Sequence, residues 1–279
     1  MLSTIGRALL KDSSNSPKTL TDNFYYPRKG PGAFYDKLAN RAQLKGVQFH
    51  LNSMVSAIYH DNRNILSVEV MDEDAFRFKD VLTKFLFSSV PITELINMLR
   101  PAVPDDVMAA AKRLMFRSFI TVNLIIDNPD LFLDQWIYVH SKAVKMGRIQ
   151  NYKNWSPYLL PDLQKTSLGV EYFCSVSDEL WKLSDSALIS LALRELEIIG
   201  LASTVDFIDG CVVRCSHAYP LYTLGYKTDV NIVLEYLRQF KNLQTIGRSG
   251  LFQYDNSDKA LFSGIKAAKS FLGDLAYCE

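Results

Sequence analysis

Two glycines and an arginine stand together near the end of the chain, after a short apolar run and before a run typical of a helix at 259–272. This order predicts a strand, a tight turn through Gly247, Arg248 and Gly250, and a helix that Asp258 caps. Glycine lets the backbone approach a ligand closely, and the first N–H groups of a helix favour an anionic or electron-rich group. The stretch therefore predicts a turn that faces a ligand.

A second pair of glycines, Gly30 and Gly32, stands just before a helical run at 33–44. Glycines at this position suit the close approach of backbone to a phosphate or a flat ring. A plain turn is the alternative interpretation of the pair taken alone.

The C-terminal stretch resembles the flavin motif of the FAD-dependent amine-oxidase-like proteins at six positions: Gly247, Arg248, Gly250, Tyr254, Asn256 and Asp258. Within that superfamily the pattern is most similar to the protoporphyrinogen-oxidase-like oxidoreductases and the UDP-galactopyranose mutases. The resemblance implies FAD as the cofactor, with the Gly-Arg pair and the following helix against the isoalloxazine and ribityl groups. Lys259 departs from the pattern, which usually has a histidine there.

The resemblance extends to earlier positions in the chain. The segment that holds Gly30 and Gly32 is similar to a Tyr-Pro-x-x-Gly-x-Gly segment that lies close to the flavin in those families. Gly46 and Val55 match a spacing in which the backbone of the valine reaches the adenine of FAD. The alternative for Val55 is an ordinary core position in a strand.

An aromatic-rich region lies in the middle of the chain. Most of its aromatic residues are expected to form core, because each buries a large area. Arg148, Asn151 and Trp155 lie within eight residues of one another, which indicates a substrate cavity. Tyr219 and Tyr222 belong to a segment that resembles the Ala-Tyr-Pro-x-Tyr of the same families, and they are placed at that cavity too, with a structural role at a strand end as the alternative.

The chain contains no Gly-x-Gly-x-x-Gly, the motif that holds a pyrophosphate at the start of a dinucleotide-binding unit. By resemblance, the 279 residues correspond to the C-terminal portion of the family. We therefore expect one of three situations: a separate chain supplies the dinucleotide-binding half, the sequence is truncated, or a remnant folds without FAD.

Composition limits the other possibilities. A net charge of +1 gives no electrostatic reason to expect nucleic acid or a membrane surface as a partner. The four cysteines are scattered and no histidine pairs with them, so we predict free thiols and no metal site. No secretory signal and no apolar run of spanning length are seen, so a cytoplasmic protein without a membrane span is predicted.

The sequence thus predicts an α/β fold, with a partial FAD-binding, Rossmann-like three-layer sheet and a mixed α+β substrate-type domain. We assign 1–100 and 240–279 to the partial FAD-binding domain and 101–239 to the substrate-type domain, with a small-molecule substrate between them. The predicted activity is hydride transfer from substrate to flavin N5. The alternatives are a redox-neutral, flavin-dependent sugar-nucleotide mutase and a non-catalytic remnant, and the catalytic residues stay unassigned.

Overall fold

The computed structural model describes residues 25–72 and 77–273. The helices are α1 Gly32–Gln43, α2 Ile92–Met98, α3 Asp105–Arg113, α4 Tyr152–Trp155, α5 Glu179–Lys182, α6 Asp185–Ile198, α7 Tyr226–Arg238, α8 Gly247–Gly250 and α9 Ser257–Phe271. The strands are β1 Ser53–His60, β2 Ile65–Asp72, β3 Arg77–Leu82, β4 Leu86–Ser88, β5 Leu99–Arg100, β6 Met115–Ile126, β7 Trp136–Tyr138, β8 Arg148–Asn151, β9 Thr166–Cys174, β10 Phe207–Leu221 and β11 Leu243–Thr245. The mixed α/β class predicted from the sequence is confirmed. Within the described ranges, every helix is too short or too polar to cross a membrane.

A four-stranded sheet in the order β3-β2-β1-β5 forms the first part of the molecule. Strands β1 and β2 pair as an antiparallel hairpin, closed by a turn in which Asp61 Oδ1 accepts hydrogen bonds from the N–H groups of Arg63 at 2.8 Å and Asn64 at 2.6 Å. An aspartate at this turn position replaces the missing backbone partners. The hairpin packs its inner face on α2, α3 and α7.

A five-stranded antiparallel sheet in the order β10-β6-β9-β8-β7 forms the second part. Alternate residues of its strands, such as Ile120 and Val170, point to one face and are fully buried there against α6, which contributes Leu188. The helix α6 begins after Ser184, whose Oγ accepts from Ala187 N at 3.2 Å, and Gly200 follows its end with a φ of +72°. The opposite face of the sheet carries the polar and aromatic residues described below.

Two distant parts of the chain meet in a parallel pair of strands, β4 and β11. Leu86 pairs with Leu243 and Ser88 with Thr245, which confirms that the early and late segments meet in space. The largely apolar run at 81–90 predicts a single buried strand, and this prediction is wrong. The chain instead leaves the exposed strand β3 at Leu82 and starts β4 at Leu86, because β3 pairs with β2 and β4 pairs with β11.

Two hydrophobic cores correspond to these two parts. The first core combines β1, β2, α2, α3, α7 and the residues around β11. It includes Val107 on α3 and Val233 on α7, which lie inside the range 101–239 that the sequence assigned to the substrate-type domain. Helices α3 and α7 thus pack in the same core as strands assigned to the partial FAD-binding domain. The domain boundaries stay a prediction.

Candidate cofactor and ligand site

The late glycine corner lies directly after β11. Gly247 has a φ of +73°, a conformation that favours glycine, and its N–H donates to Ser263 Oγ on α9 at 2.8 Å. Gly250 is buried, and a Cβ placed on it would lie 2.9 Å from the carbonyl oxygen of Ser88. The glycines therefore bring the short helix α8 against the backbone that follows β4.

The guanidinium of Arg248 lies beside two tyrosine rings that stack on each other. Its Cζ is 4.2 Å from the ring centre of Tyr219 and 4.8 Å from that of Tyr254, and these two rings are stacked 5.3 Å apart. Nε and Nη2 of Arg248 are shielded from solvent, and they have no hydrogen-bond partner among the described residues. Buried donors of a charged group that lack a partner are costly, so this position suits an anionic or electron-rich ligand.

Two further tyrosines, Tyr222 and Tyr226, fix the position of Tyr254. Tyr222 Oη accepts a hydrogen bond from the backbone N–H of Tyr254 at 2.7 Å. The ring of Tyr222 stacks on Tyr226 with 4.2 Å between their centres and an interplanar angle of 5°. The loop that carries Tyr254 is thereby tied to the end of β10 and the start of α7.

Arg148, on strand β8, contacts Tyr219 as well. Its Nη2 donates to Tyr219 Oη at 3.2 Å, and its Nε donates to the buried carboxylate of Glu171. Its Cζ also lies over Phe173, at 4.7 Å from the ring centre, and Phe119 and Trp136 lie at slightly larger distances. Burial by itself lowers the pKa of Arg148, but the hydrogen bond to Tyr219 and the charge of Glu171 outweigh it and raise the pKa.

The polar face of the sheet continues from Glu171 to Tyr152. Glu171 also accepts a hydrogen bond from Gln150, and Tyr152 Oη donates to Asn123 Oδ1 at 3.0 Å. Burial, with the negative charge of Glu171, raises the pKa of Tyr152 to about 12, so its hydroxyl is a donor at neutral pH. Gly169 leaves room for this ring, since a Cβ there would lie 2.2 Å from Tyr152 Oη.

The other two predicted cavity residues have structural contacts of their own. Asn151 is buried, and its Oδ1 accepts from Asn154 N at 3.4 Å as the N-cap of α4. Trp155 stacks on Tyr26 with 5.1 Å between ring centres. The structure thus brings Arg148, Tyr219 and Tyr222 to the Arg248 corner.

The early glycine corner lies against α4 and the turn after it. A Cβ on Gly30 would lie 3.2 Å from Leu159, whereas nothing lies within 4 Å of the corresponding point on Gly32. Ser156 Oγ donates to the carbonyl oxygen of Arg28 at 2.6 Å, which fixes the segment. A cofactor contact for Gly30 and Gly32 stays a prediction.

The remaining predicted cofactor residues lie on β1 and at the start of α9. Val55 pairs with Val70 and packs on the first core. The prediction that Asp258 caps the helix is wrong, because α9 begins at Ser257 with Asn256 as its N-cap residue. Asp258 lies in the first turn, where its negative charge interacts favourably with the helix dipole.

Sequence reasoning missed the residues that hold Arg148, namely Glu171 and Gln150, and the rings of Phe119, Trp136 and Phe173. A usable signal was the glutamate in the otherwise apolar strand β9, because a charged residue inside such a strand needs a partner.

The comparisons with known proteins give the family. A model of the flavin containing amine oxidoreductases matches residues 13–270. The chain belongs to this family. This assignment points to FAD, the cofactor predicted from the sequence. No match was found among curated proteins.

Solved structures share the fold at low sequence identity. A reduced UDP-galactopyranose mutase is 20% identical with a TM-score of 0.78, over 98% of this chain and 58% of that one. A protein assigned as a protoporphyrinogen oxidase from Exiguobacterium sp. 255-15 is 17% identical with a TM-score of 0.66, over 87% and 51%. An oxidoreductase from Methanosarcina mazei is 12% identical with a TM-score of 0.59, over 87% and 55%. The chain therefore spans between half and three fifths of the length of these solved chains.

The residues at the late corner fit a flavin. Arg248 offers buried donors that no described residue uses, and Gly247 and Gly250 keep side chains away from the adjoining backbone. A flavin presents carbonyl oxygens and ring nitrogens that accept such donors.

Proposed function

We propose that the protein acts in a flavin-dependent oxidation of a small-molecule substrate. The family supports this reaction class. The observation that carries it to this chain is the guanidinium of Arg248, which lies against the rings of Tyr219 and Tyr254 and whose shielded Nε and Nη2 have no partner among the described residues. When bound, FAD would accept at its N5 atom a hydride from a substrate C–H bond, so that the adjoining C–N or C–C single bond is oxidised to a double bond.

In this proposal the chain binds and orients the cofactor through eight residues: Gly30, Gly32, Val55, Gly247, Arg248, Tyr254, Asn256 and Asp258. Arg248 donates hydrogen bonds to the electron-rich edge of the flavin and stabilises negative charge there. The aromatic rings around it exclude water and so strengthen this interaction.

The substrate cavity is proposed to lie over the polar face of the five-stranded sheet. Five residues form it in this proposal: Arg148, Asn151, Trp155, Tyr219 and Tyr222. Glu171 fixes Arg148 and Arg148 fixes the hydroxyl of Tyr219, so this side of the cavity is held before substrate arrives.

A sugar-nucleotide mutase is the second candidate. The observation that favours it is the presence of two arginines at one tyrosine, since Arg148 bonds the hydroxyl of Tyr219 while Arg248 lies over its ring. Two guanidinium groups beside tyrosine hydroxyls suit a diphosphate. The two candidates differ in redox requirement, because a mutase turns over a UDP-hexose only with reduced flavin and gives no net oxidation.

The sequence leaves three situations open for the dinucleotide-binding half: a separate chain, a truncated sequence, or a remnant that folds without FAD. A parallel sheet of two strands, β4 and β11, is small for a sheet of this kind, and additional strands would extend it. The solved relatives carry further residues in the same polypeptide, and the comparisons give a separate partner chain no support.

The test is a titration of the full chain with FAD, in which binding is measured by the quenching of flavin fluorescence. We expect saturable binding that Arg248→Ala weakens by about 10- to 100-fold, which corresponds to the loss of one charged hydrogen bond of about 1.5–3 kcal/mol. Arg113→Ala is the matched control, because Arg113 forms an exposed ion pair with Asp229. Equal affinity of wild type and Arg248→Ala would remove Arg248 from the cofactor site, and no binding by wild type would contradict FAD binding by this chain alone.

A further inference from the structure

A cavity lies between the two cores, and Arg248 is not among the residues that line it. Its volume is about 500 Å³, and α2, α3, β6, β10 and the turn after β9 contribute to its wall. Ligand cavities commonly have this size and commonly lie where two packed units meet. Three of its residues, Glu94, Ser216 and His217, form a group that the flavin chemistry does not use.

An irregularity in β10 places two consecutive side chains at this cavity. The pairing of β10 with β6 is regular from Asp209 to Cys215 and resumes at Tyr219, so Ser216 and His217 lie in a bulge. In a regular strand consecutive side chains point to opposite faces, whereas a bulge redirects one of them. Ser118 Oγ donates to the carbonyl oxygen of Ser216 at 3.1 Å and anchors the bulge.

The three side chains have the geometry of a nucleophile, a base and an orienting carboxylate. Ser216 Oγ lies 2.8 Å from Nδ1 of His217, and Nε2 of His217 lies 3.5 Å from Oε1 of Glu94. The ring of Phe116 meets the imidazole edge to face at 5.0 Å and limits its rotation. A base in hydrogen-bond reach of a hydroxyl and oriented by a third group is the arrangement that activates serine.

We propose that Ser216 is an acyl-accepting nucleophile with His217 as its base, and that the cavity takes small esters with an apolar acyl group. Glu94 is a positioning residue, because it acts through His217. The apolar part of the wall, which includes Leu114 and Leu221, offers the contact surface for the acyl group.

The reaction balances with water as the second substrate. Ser216 Oγ attacks the ester carbon, its proton passes to His217 Nδ1, and Glu94 stabilises the imidazolium. The alcohol leaves with that proton, which gives an acyl-serine. Water then attacks the acyl carbon, its proton passes through His217 back to Ser216 Oγ, and the acid is released. Lys112, Ser175 and Ser177 line the same wall and can donate to the developing oxyanion.

The test uses a fluorophosphonate probe on the full chain, without added flavin. Attack of Ser216 Oγ on phosphorus expels fluoride, and mass spectrometry of the wild-type protein identifies the modified residue without any variant. We expect the adduct on Ser216, its loss in Ser216→Ala, and a rate about 100-fold lower in His217→Gln, the size expected for removal of a general base.

Glu94 has its own test. Glu94→Gln should slow labelling about tenfold, as expected for an imidazolium that loses a charged partner. Glu94→Asp keeps the carboxylate on a shorter side chain and should therefore restore part of the rate. If Glu94 had only a packing role, the shorter side chain would restore nothing. Ser190→Ala is the matched serine control, because Ser190 is exposed on α6, where its hydroxyl bonds the backbone at 2.9 Å. A label on another residue, or equal rates in wild type and His217→Gln, would overturn the proposal. Since flavin is absent, either result leaves the proposed oxidation untouched.

Discussion

The polar face of the five-stranded sheet depends on a missing side chain at Gly169. The ring of Tyr152 fills the space where a Cβ would stand, and its hydroxyl reaches Asn123 on the neighbouring strand β6. The backbone of Gly169 has no positive φ, so the requirement is one of space alone.

Gly169→Ala is therefore expected to destabilise the fold by about 1–3 kcal/mol, the usual cost of forcing extra atoms into a packed region. The measurement is the free energy of unfolding in urea. Gly32→Ala is the matched control, since nothing lies within 4 Å of its Cβ position, and it should be neutral or slightly stabilising. A double variant with Tyr152→Ala should recover part of the loss, and full additivity of the two changes would contradict the explanation.

His60 provides a pH-dependent contribution to stability. It is 5% exposed, its Nε2 lies 2.9 Å from the carbonyl oxygen of Pro101, and its Nδ1 accepts from Asn62 N at 3.1 Å. Burial lowers the pKa of His60 from 6.5, against the opposing effects of the Pro101 carbonyl and Asp61. The unfolded chain thus binds a proton at a higher pH than the folded chain.

From this sign, the contribution is fully present above pH 6.5 and is lost as the pH falls from 6.5 through the lower folded-state pKa. We expect wild type to lose more free energy of unfolding between pH 7.5 and pH 5 than His60→Gln, with both pH values chosen to bracket an ordinary histidine pKa of about 6.5. Exposed His140 supplies the control, and His140→Gln should follow wild type. Parallel curves for wild type and His60→Gln would refute the assignment.

At the scale of elements, β8 and β9 hold a buried ion pair between two strands. The side chain of Arg148 is 14% exposed and that of Glu171 is 3% exposed, so both charges depend on each other for compensation. Removal of one partner leaves the other buried and unpaired, which costs more than the pair itself contributes.

Glu171→Gln is expected to lower the free energy of unfolding by about 3–5 kcal/mol, because Arg148 then keeps its charge without a counter-ion. Asp185→Asn is the control, since Asp185 pairs with Arg214 at 59% exposure and should cost less than about 1 kcal/mol. The two values come from urea unfolding at the same pH. A cost for Glu171→Gln no larger than that of the control would mean that the pair is solvated.

The elements differ in how far the sequence predicts them. The sequence by itself predicts a helix at 184–201, and α6 is found at Asp185–Ile198, because its apolar periodicity and Gly200 are local signals. The division between β3 and β4 was missed, because it depends on partners far away in sequence. Glu171 was missed as well, since its partners Arg148 and Gln150 lie on another strand, β8. The predicted cap at Asp258 lies two residues after the observed N-cap residue, Asn256.

The whole molecule is held together by strands that run through both cores. Strand β6 places Phe116 against the first core and Ile120 in the second, so one continuous strand belongs to both. Strand β10 pairs with β6 along most of its length. Loss of one core therefore removes support from the strand on which the other is built.

This continuity predicts a single cooperative unfolding transition, in which a cavity in the first core also weakens the second. The three tryptophans, Trp136, Trp155 and Trp181, all lie in the second part, so their fluorescence reports on that part, whereas circular dichroism reports on the whole chain. Leu95 is fully buried in the first core, and Leu95→Ala should cost about 2–5 kcal/mol. For Leu95→Ala we expect the fluorescence midpoint in urea to shift as far as the dichroism midpoint. Leu168→Ala, in the second core, should likewise shift both midpoints equally. Leu133→Ala is the control and should leave both midpoints in place, because Leu133 is 95% exposed. A dichroism curve that splits into two steps, with the fluorescence step unmoved by Leu95→Ala, would show instead that the cores unfold independently and that β6 does not couple them.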